Sequence, residues 1–115
     1  MMPPEIIELE HDARHAVARL ALTPAAAVLR GHFPGMPILS GVTQIDWAMR
    51  LAQQCFALAE PVAHDFQVKF AHVIEPGSAL VLTLDYDPQA GRLSFEYRVA
   101  DRLMSSGRVK LAAPP

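Results

Sequence analysis

The spacing of apolar residues changes period twice along the 115-residue chain. Residues 5–22, EIIELEHDARHAVARLAL, alternate loosely, with Ile7 and Leu9 on one phase and Val17 and Leu20 drifting off it. A period near two is that of a half-buried strand, and the polar run from His11 to Arg14 interrupts it, so two strands joined by a turn are expected. From Thr23 to Gly41, prolines 24, 34 and 37 and glycines 31, 35 and 41 forbid a long regular element. Then VTQIDWAMRLAQQCFALA runs eighteen residues without glycine or proline. Val42, Ile45, Met49, Ala52 and Phe56 fall at helical spacing there, and Trp47, Leu51, Cys55 and Leu58 add a second stripe. This predicts a helix apolar over most of its girth, hence buried, with Ser40 as its N-cap and Pro61 as its stop. Trp47 and Met49 are expected as core or as the wall of a tunnel.

The remainder returns to a period of two. Phe66, Val68 and Phe70 share a face in DFQVKFAHVI, as do Leu80, Leu82, Leu84 and Tyr86 in ALVLTLDYD. PQAG then turns the chain into RLSFEYRVA, where Leu93, Phe95, Tyr97 and Val99 alternate with Arg92, Ser94, Glu96 and Arg98, the best hairpin pattern present. SSGRVKLA predicts a last strand with Val109 and Leu111 inward, Arg108 and Lys110 outward, and Gly107 at a bulge or a close backbone approach. Two strands, an irregular segment, one long helix and four strands describe an α+β fold. An antiparallel sheet with a single helix to cover it must wrap around that helix.

Length allows one domain, residues 1–115, that buries roughly 65% of its unfolded surface. With 51% apolar and only 19% charged residues, polar cover is thin, so part of the surface is expected to meet a second copy in a homodimer or higher oligomer. A net charge of −2 provides no basic footprint for nucleic acid. No apolar run reaches the ~18 residues of a membrane helix. Cys55 has no second cysteine to pair with, and the chain does not open on a charged-then-apolar leader, so a cytoplasmic location is expected. His11, His15, His64 and His72 lack zinc-ligand spacing backed by a third ligand, and neither a metal nor a cofactor is expected.

The candidate chemistry lies in RGHFPGMPILSGVTQID, residues 30–46. His32 sits in the loop before the helix, and Asp46 lies about one and a half turns inside it. An unpaired carboxylate buried in an apolar helix costs several kcal/mol, on the order of 3–5, so a partner is required, and His32 and Arg50 are the two candidates. A histidine beside a desolvated carboxylate suits general acid and base work. The Gly41 and Val42 amides at the helix start lack intrahelical acceptors and sit at its positive end, where they can bind a carbonyl oxygen that gains charge.

GHFPGMPILSGVTQID resembles the GHFPGxPxxPGVxxxE signature of the β-hydroxyacyl-acyl-carrier-protein dehydratases of the FabZ and FabA type, which have the hotdog fold. The fourteen positions from His32 to Asp46 match that signature, aspartate being the FabA-type acid, and QIDWA looks most like the ApeI branch associated with aryl polyene gene clusters. Weaker similarity in FQVKFAHVIEPGSAL and SSGRVKLA extends the resemblance over roughly residues 28–112. It implies a single hotdog domain that dehydrates a 3-hydroxyacyl thioester carried on acyl carrier protein or coenzyme A. His32 would take the α-proton. Asp46 from the other subunit of a dimer would protonate or hydrogen-bond the departing hydroxyl, the Gly41 N–H would polarise the thioester carbonyl, and the acyl chain would run in a tunnel along the dimer interface.

Two positions depart from the signature. Ser40 replaces its proline, and Arg50 stands where a glutamine is common, four residues past the acid, where it would pair with Asp46 and oppose a proton-donor role. Two rivals share the fold: an acyl-thioesterase that uses the helix carboxylate without His32, and a non-catalytic acyl-binding partner subunit. Cys55 is expected as packing rather than as a nucleophile. Arg30, Arg50, Lys69, Arg108 and Lys110 form either a scattered solvated face or a basic rim for an acidic carrier protein.

Overall fold

Each segment with a period of two becomes a strand, and the one helical segment covers their apolar face. The computed structural model describes residues 5–21, 39–56, 58, 63–75 and 79–111. The elements are β1 (Glu5–His11), β2 (His15–Ala21), α1 (Gly41–Phe56), β3 (Ala63–Phe70), β4 (Ala79–Asp87), β5 (Arg92–Val99) and β6 (Arg102–Leu111). The strands form one sheet in the order β1-β2-β4-β5-β6-β3, antiparallel throughout. This is the α+β arrangement expected, a sheet around one long helix. The helix of the described residues is too short to cross a membrane.

Alternation places the core. Leu80, Leu82 and Leu84 on β4 and Leu93, Phe95 and Tyr97 on β5 are buried, and α1 lays Trp47, Ala48, Leu51 and Ala52 over them. Ala16 and Ala18 on β2 are buried too, their small side chains fitting the covered face. Gly107 is a close approach, as expected: a Cβ there would overlap the Phe95 ring of the neighbouring strand and come within 3.2 Å of Val68.

Two local readings need correction. Ile7 does not share a face with Leu9: a bulge between Ile6 and Glu8 leaves Ile7 unpaired, so Ile6 pairs with Leu20 and Ile7 is 65% exposed. The last strand begins at Arg102 rather than Ser105, because Ala100 and Asp101 take positive φ (49° and 65°) and close a two-residue hairpin. That turn geometry favours glycine or asparagine, so Ala-Asp gave no signal for it. Phe66 and Phe70 flank Val68 on the helix-facing side of β3, as their spacing predicts, yet stay about half exposed on this edge strand.

A buried polar group joins the two layers. The Gln44 Nε2 donates to Leu39 O at 3.1 Å, its Oε1 accepts from Ser105 Oγ at 2.6 Å, and its backbone carbonyl accepts from the Tyr97 hydroxyl at 2.7 Å. Leu39 N in turn donates to Ile74 O at 3.0 Å. Ser105→Ala leaves the buried Gln44 oxygen short of a donor and is expected to destabilise by about 1–3 kcal/mol. Thermal denaturation should show this as a fall of roughly 4 °C per kcal/mol.

Candidate active site

The first two turns of α1 carry the site. Ser40 acts as the N-cap, its Oγ accepting from Thr43 N at 3.2 Å and bonding the Thr43 hydroxyl at 2.8 Å. The Gln44 N–H closes the first helical bond onto Ser40 O at 3.1 Å. The Gly41 and Val42 amides, one and two residues past the cap, have no acceptor among the described residues. Gly41 lies under the Phe70 ring: a Cβ at that position would come within 2.6 Å of Phe70 Cζ. A glycine is therefore what lets the edge strand's aromatic ring close over the helix start.

Asp46 stands on the outer stripe of α1, in line with Val42 and Arg50 at successive spacings of four. Its side chain is 33% exposed, so the expectation of a fully buried carboxylate is corrected: the adjacent stripe, through Thr43, Trp47 and Leu51, is the one pressed onto the sheet. Of its two candidate partners Arg50 pairs with it, Nε to Oδ2 at 2.9 Å. His32 and Arg30 lie outside the described residues, so this geometry places Asp46, Gly41 and Arg50 together and does not include the histidine. Lys69, Arg108 and Lys110 are exposed on the outer face of the sheet, away from Arg50 on the helix side.

Two other ionisable groups near α1 are held in their neutral forms. Burial, with the Asp46 charge as a second cause, pushes the Tyr97 phenol far up, which suits a hydroxyl that donates to Gln44 O and not one that releases a proton. Burial likewise raises the Cys55 thiol, in keeping with a packing role.

The sequence reading did not anticipate a recess of about 210 Å³ between α1 and strands β1, β2 and β4. Leu20, Trp47, Leu51 and Leu82 wall it, and Ile6, Arg50 and Gln54 border it. Trp47 is thus both core and wall. Its Nε1 is buried with no hydrogen-bond partner among the described residues. The contributing strands are far from the helix in sequence, and only Trp47, Arg50, Leu51 and Gln54 carried a local signal, as one stripe of α1. Phe70 over Gly41 was likewise invisible, because nothing local links positions 29 residues apart.

A six-stranded antiparallel sheet wrapped on one long helix defines a hotdog-fold protein. The sequence profile of the ApeI dehydratase family matches residues 8–108, and the chain belongs to that family. Among solved structures it is similar to the dehydratase heterocomplex ApeI:P from Xenorhabdus doucetiae, with 36% identity and a TM-score of 0.90, covering 97% of this chain and 100% of that one. It is also similar to an uncharacterized protein from Erwinia carotovora subsp. atroseptica, with 30% identity and a TM-score of 0.86, covering 96% and 97% of the two chains. Dehydratases from type I polyketide synthases share the fold at 21% identity and a TM-score of 0.77, this chain being covered to 99% and theirs to 46%. No curated protein sequence matches the chain.

Replacing Ser40 by Ala removes the cap and is expected to destabilise by about 1 kcal/mol. Arg50→Gln, which removes an exposed pair, should stay below about 1 kcal/mol. Thermal melts of the two variants beside wild type check the contrast.

Proposed function

We propose that the protein is a dehydratase of 3-hydroxyacyl thioesters, carried on acyl carrier protein or coenzyme A, and that it serves fatty acid or aryl polyene-type biosynthesis in the cytoplasm. The observation that carries this is Asp46 with one oxygen held by Arg50 and, among the described residues, no partner on the other, one and a half turns from a Gly41 amide likewise without an acceptor there, in a chain of the ApeI dehydratase family.

In this mechanism the Gly41 N–H binds the thioester oxygen and stabilises the charge that develops there when the α-proton leaves. His32 takes that proton. The electron pair forms the C2–C3 double bond as the C3–O bond breaks, and the departing hydroxyl, hydrogen-bonded by Asp46, takes the proton carried by His32 and leaves as water. Arg50 fixes the rotamer of Asp46 so that Oδ1 is the oxygen presented.

The active unit in this reading is a dimer built on the β3 edge, with each protomer supplying part of the site. Support comes from the exposed apolar side chains near that edge: Val42 is 73% exposed, Phe70 51% and Val73 56%. An apolar edge strand left open is a template for pairing with a second chain. A second reading pairs this chain with a non-identical hotdog subunit, and the ApeI:P assembly, a heterocomplex, favours it. The mass of the purified chain by light scattering, read beside its activity alone, separates the two.

Asp46→Asn and His32→Ala are each expected to lower turnover of a 3-hydroxyacyl thioester by about a hundredfold or more. Enoyl thioester absorbance measures it. Release of free thiol in place of enoyl product would replace this mechanism with hydrolysis, and full activity in His32→Ala would remove the base assigned here.

A further inference from the structure

Arg50 belongs to two places at once. Its Nε holds Asp46 at 2.9 Å, and its side chain borders the recess between α1 and the strands. The recess is apolar in its buried walls, Leu20, Trp47, Leu51 and Leu82, while Arg50 and Gln54 stand exposed at the rim. Among the described residues the terminal guanidinium nitrogens of Arg50 meet no acceptor, and neither does the buried Trp47 Nε1. Arginine keeps its proton and only donates, so the rim at Arg50 offers hydrogen-bond donors that an oxygen acceptor can meet.

Size limits the occupant. At about 210 Å³ the recess lies below the ~300–1,000 Å³ of sites that enclose a whole drug-sized ligand, so it suits one end of a longer molecule. Asp46 and Arg50 are four residues apart, about 6 Å along the axis, which a chain reacting beside Asp46 spans within a few carbon atoms. Arg50 therefore links the carboxylate to the recess.

We propose that the recess receives the far end of the substrate's acyl chain and that Arg50 determines specificity there, favouring a chain whose end carries an oxygen acceptor over one that is carbon throughout. The proposal rests on the dehydratase reading for the identity of the ligand as an acyl chain. Its test needs no turnover.

Trp47 is the chain's single tryptophan, so its fluorescence reports on the recess. The probes are the N-acetylcysteamine thioester of hexanoic acid and its analogue with a carbonyl next to the terminal methyl. Both are expected to change Trp47 emission, the keto probe binding on the order of tenfold more tightly. Arg50→Met keeps an apolar stem, removes the donors and replaces an exposed residue, so it should retain the wild-type circular dichroism and lose the preference. Equal affinity for the two probes in wild type, or a preference that survives in Arg50→Met, overturns the role of Arg50. No Trp47 response, with unmoved methyl signals from Leu20, Leu51 and Leu82, overturns the recess as a binding site. A wild type that prefers the keto probe yet dehydrates no thioester keeps this proposal and removes the dehydratase reading, whereas an active enzyme indifferent to the probes does the reverse.

Discussion

Gln44 fastens the first turn of α1 through three separate bonds, two of them to the sheet. Its carboxamide nitrogen holds the backbone just before the helix, its carboxamide oxygen takes the Ser105 hydroxyl from β6, and its backbone carbonyl takes the Tyr97 hydroxyl from β5. An amide with those partners is satisfied in the core, whereas the same amide misplaced by a few ångströms would carry the penalty of a buried unpaired polar group. That all-or-none character sets where the helix begins and how it is rotated. The Ser40 cap, the free Gly41 amide and the outward stripe of Asp46 all inherit their positions from it.

Rotation of α1 explains why one helix holds both core and chemistry. Trp47, Ala48, Leu51 and Ala52 face the leucines of β4 and β5, so the residues a third of a turn away are lifted toward solvent. Asp46 thereby keeps partial hydration and a charged neighbour instead of bearing the full desolvation of an interior carboxylate. Arg50 extends the same stripe and reaches the rim of the recess, so the polar and apolar parts of the site meet at one guanidinium.

The two edges of the sheet differ in kind. At one, β1 is short, twisted by a bulge and carries Glu5, Glu8 and Glu10, features that discourage pairing with another strand. At the other, β3 leaves Phe66 and Phe70 half exposed beside the start of α1, with Val42 and Val73 nearby. Among the described residues, four of the seven large exposed apolar side chains, Val42, Phe66, Phe70 and Val73, lie on the side that holds the candidate site, against Ile6 and Ile7 on the β1 edge. That distribution gives the apolar excess of the composition a location.

Much of this architecture follows from local pattern alone. The period of two places the strands, the uninterrupted apolar run places α1, serine before that run places the cap, and a spacing of four between Asp46 and Arg50 places their ion pair. Such features need only neighbours within a turn or a hairpin, so they can be read without knowing the fold. Pattern failed where a single residue shifted phase, at Ile7 in its bulge and at the Ala100–Asp101 turn, whose positive φ its residue types did not announce. Tertiary structure alone decided that Gln44 would meet Ser105, sixty-one residues away, that Phe70 would close over Gly41, and that Ile6, Leu20 and Leu82 would complete the recess beside Arg50. The reason is physical: those contacts arise from how the helix is rotated and seated on a twisted sheet, a property of all the packed side chains together and of no short segment by itself.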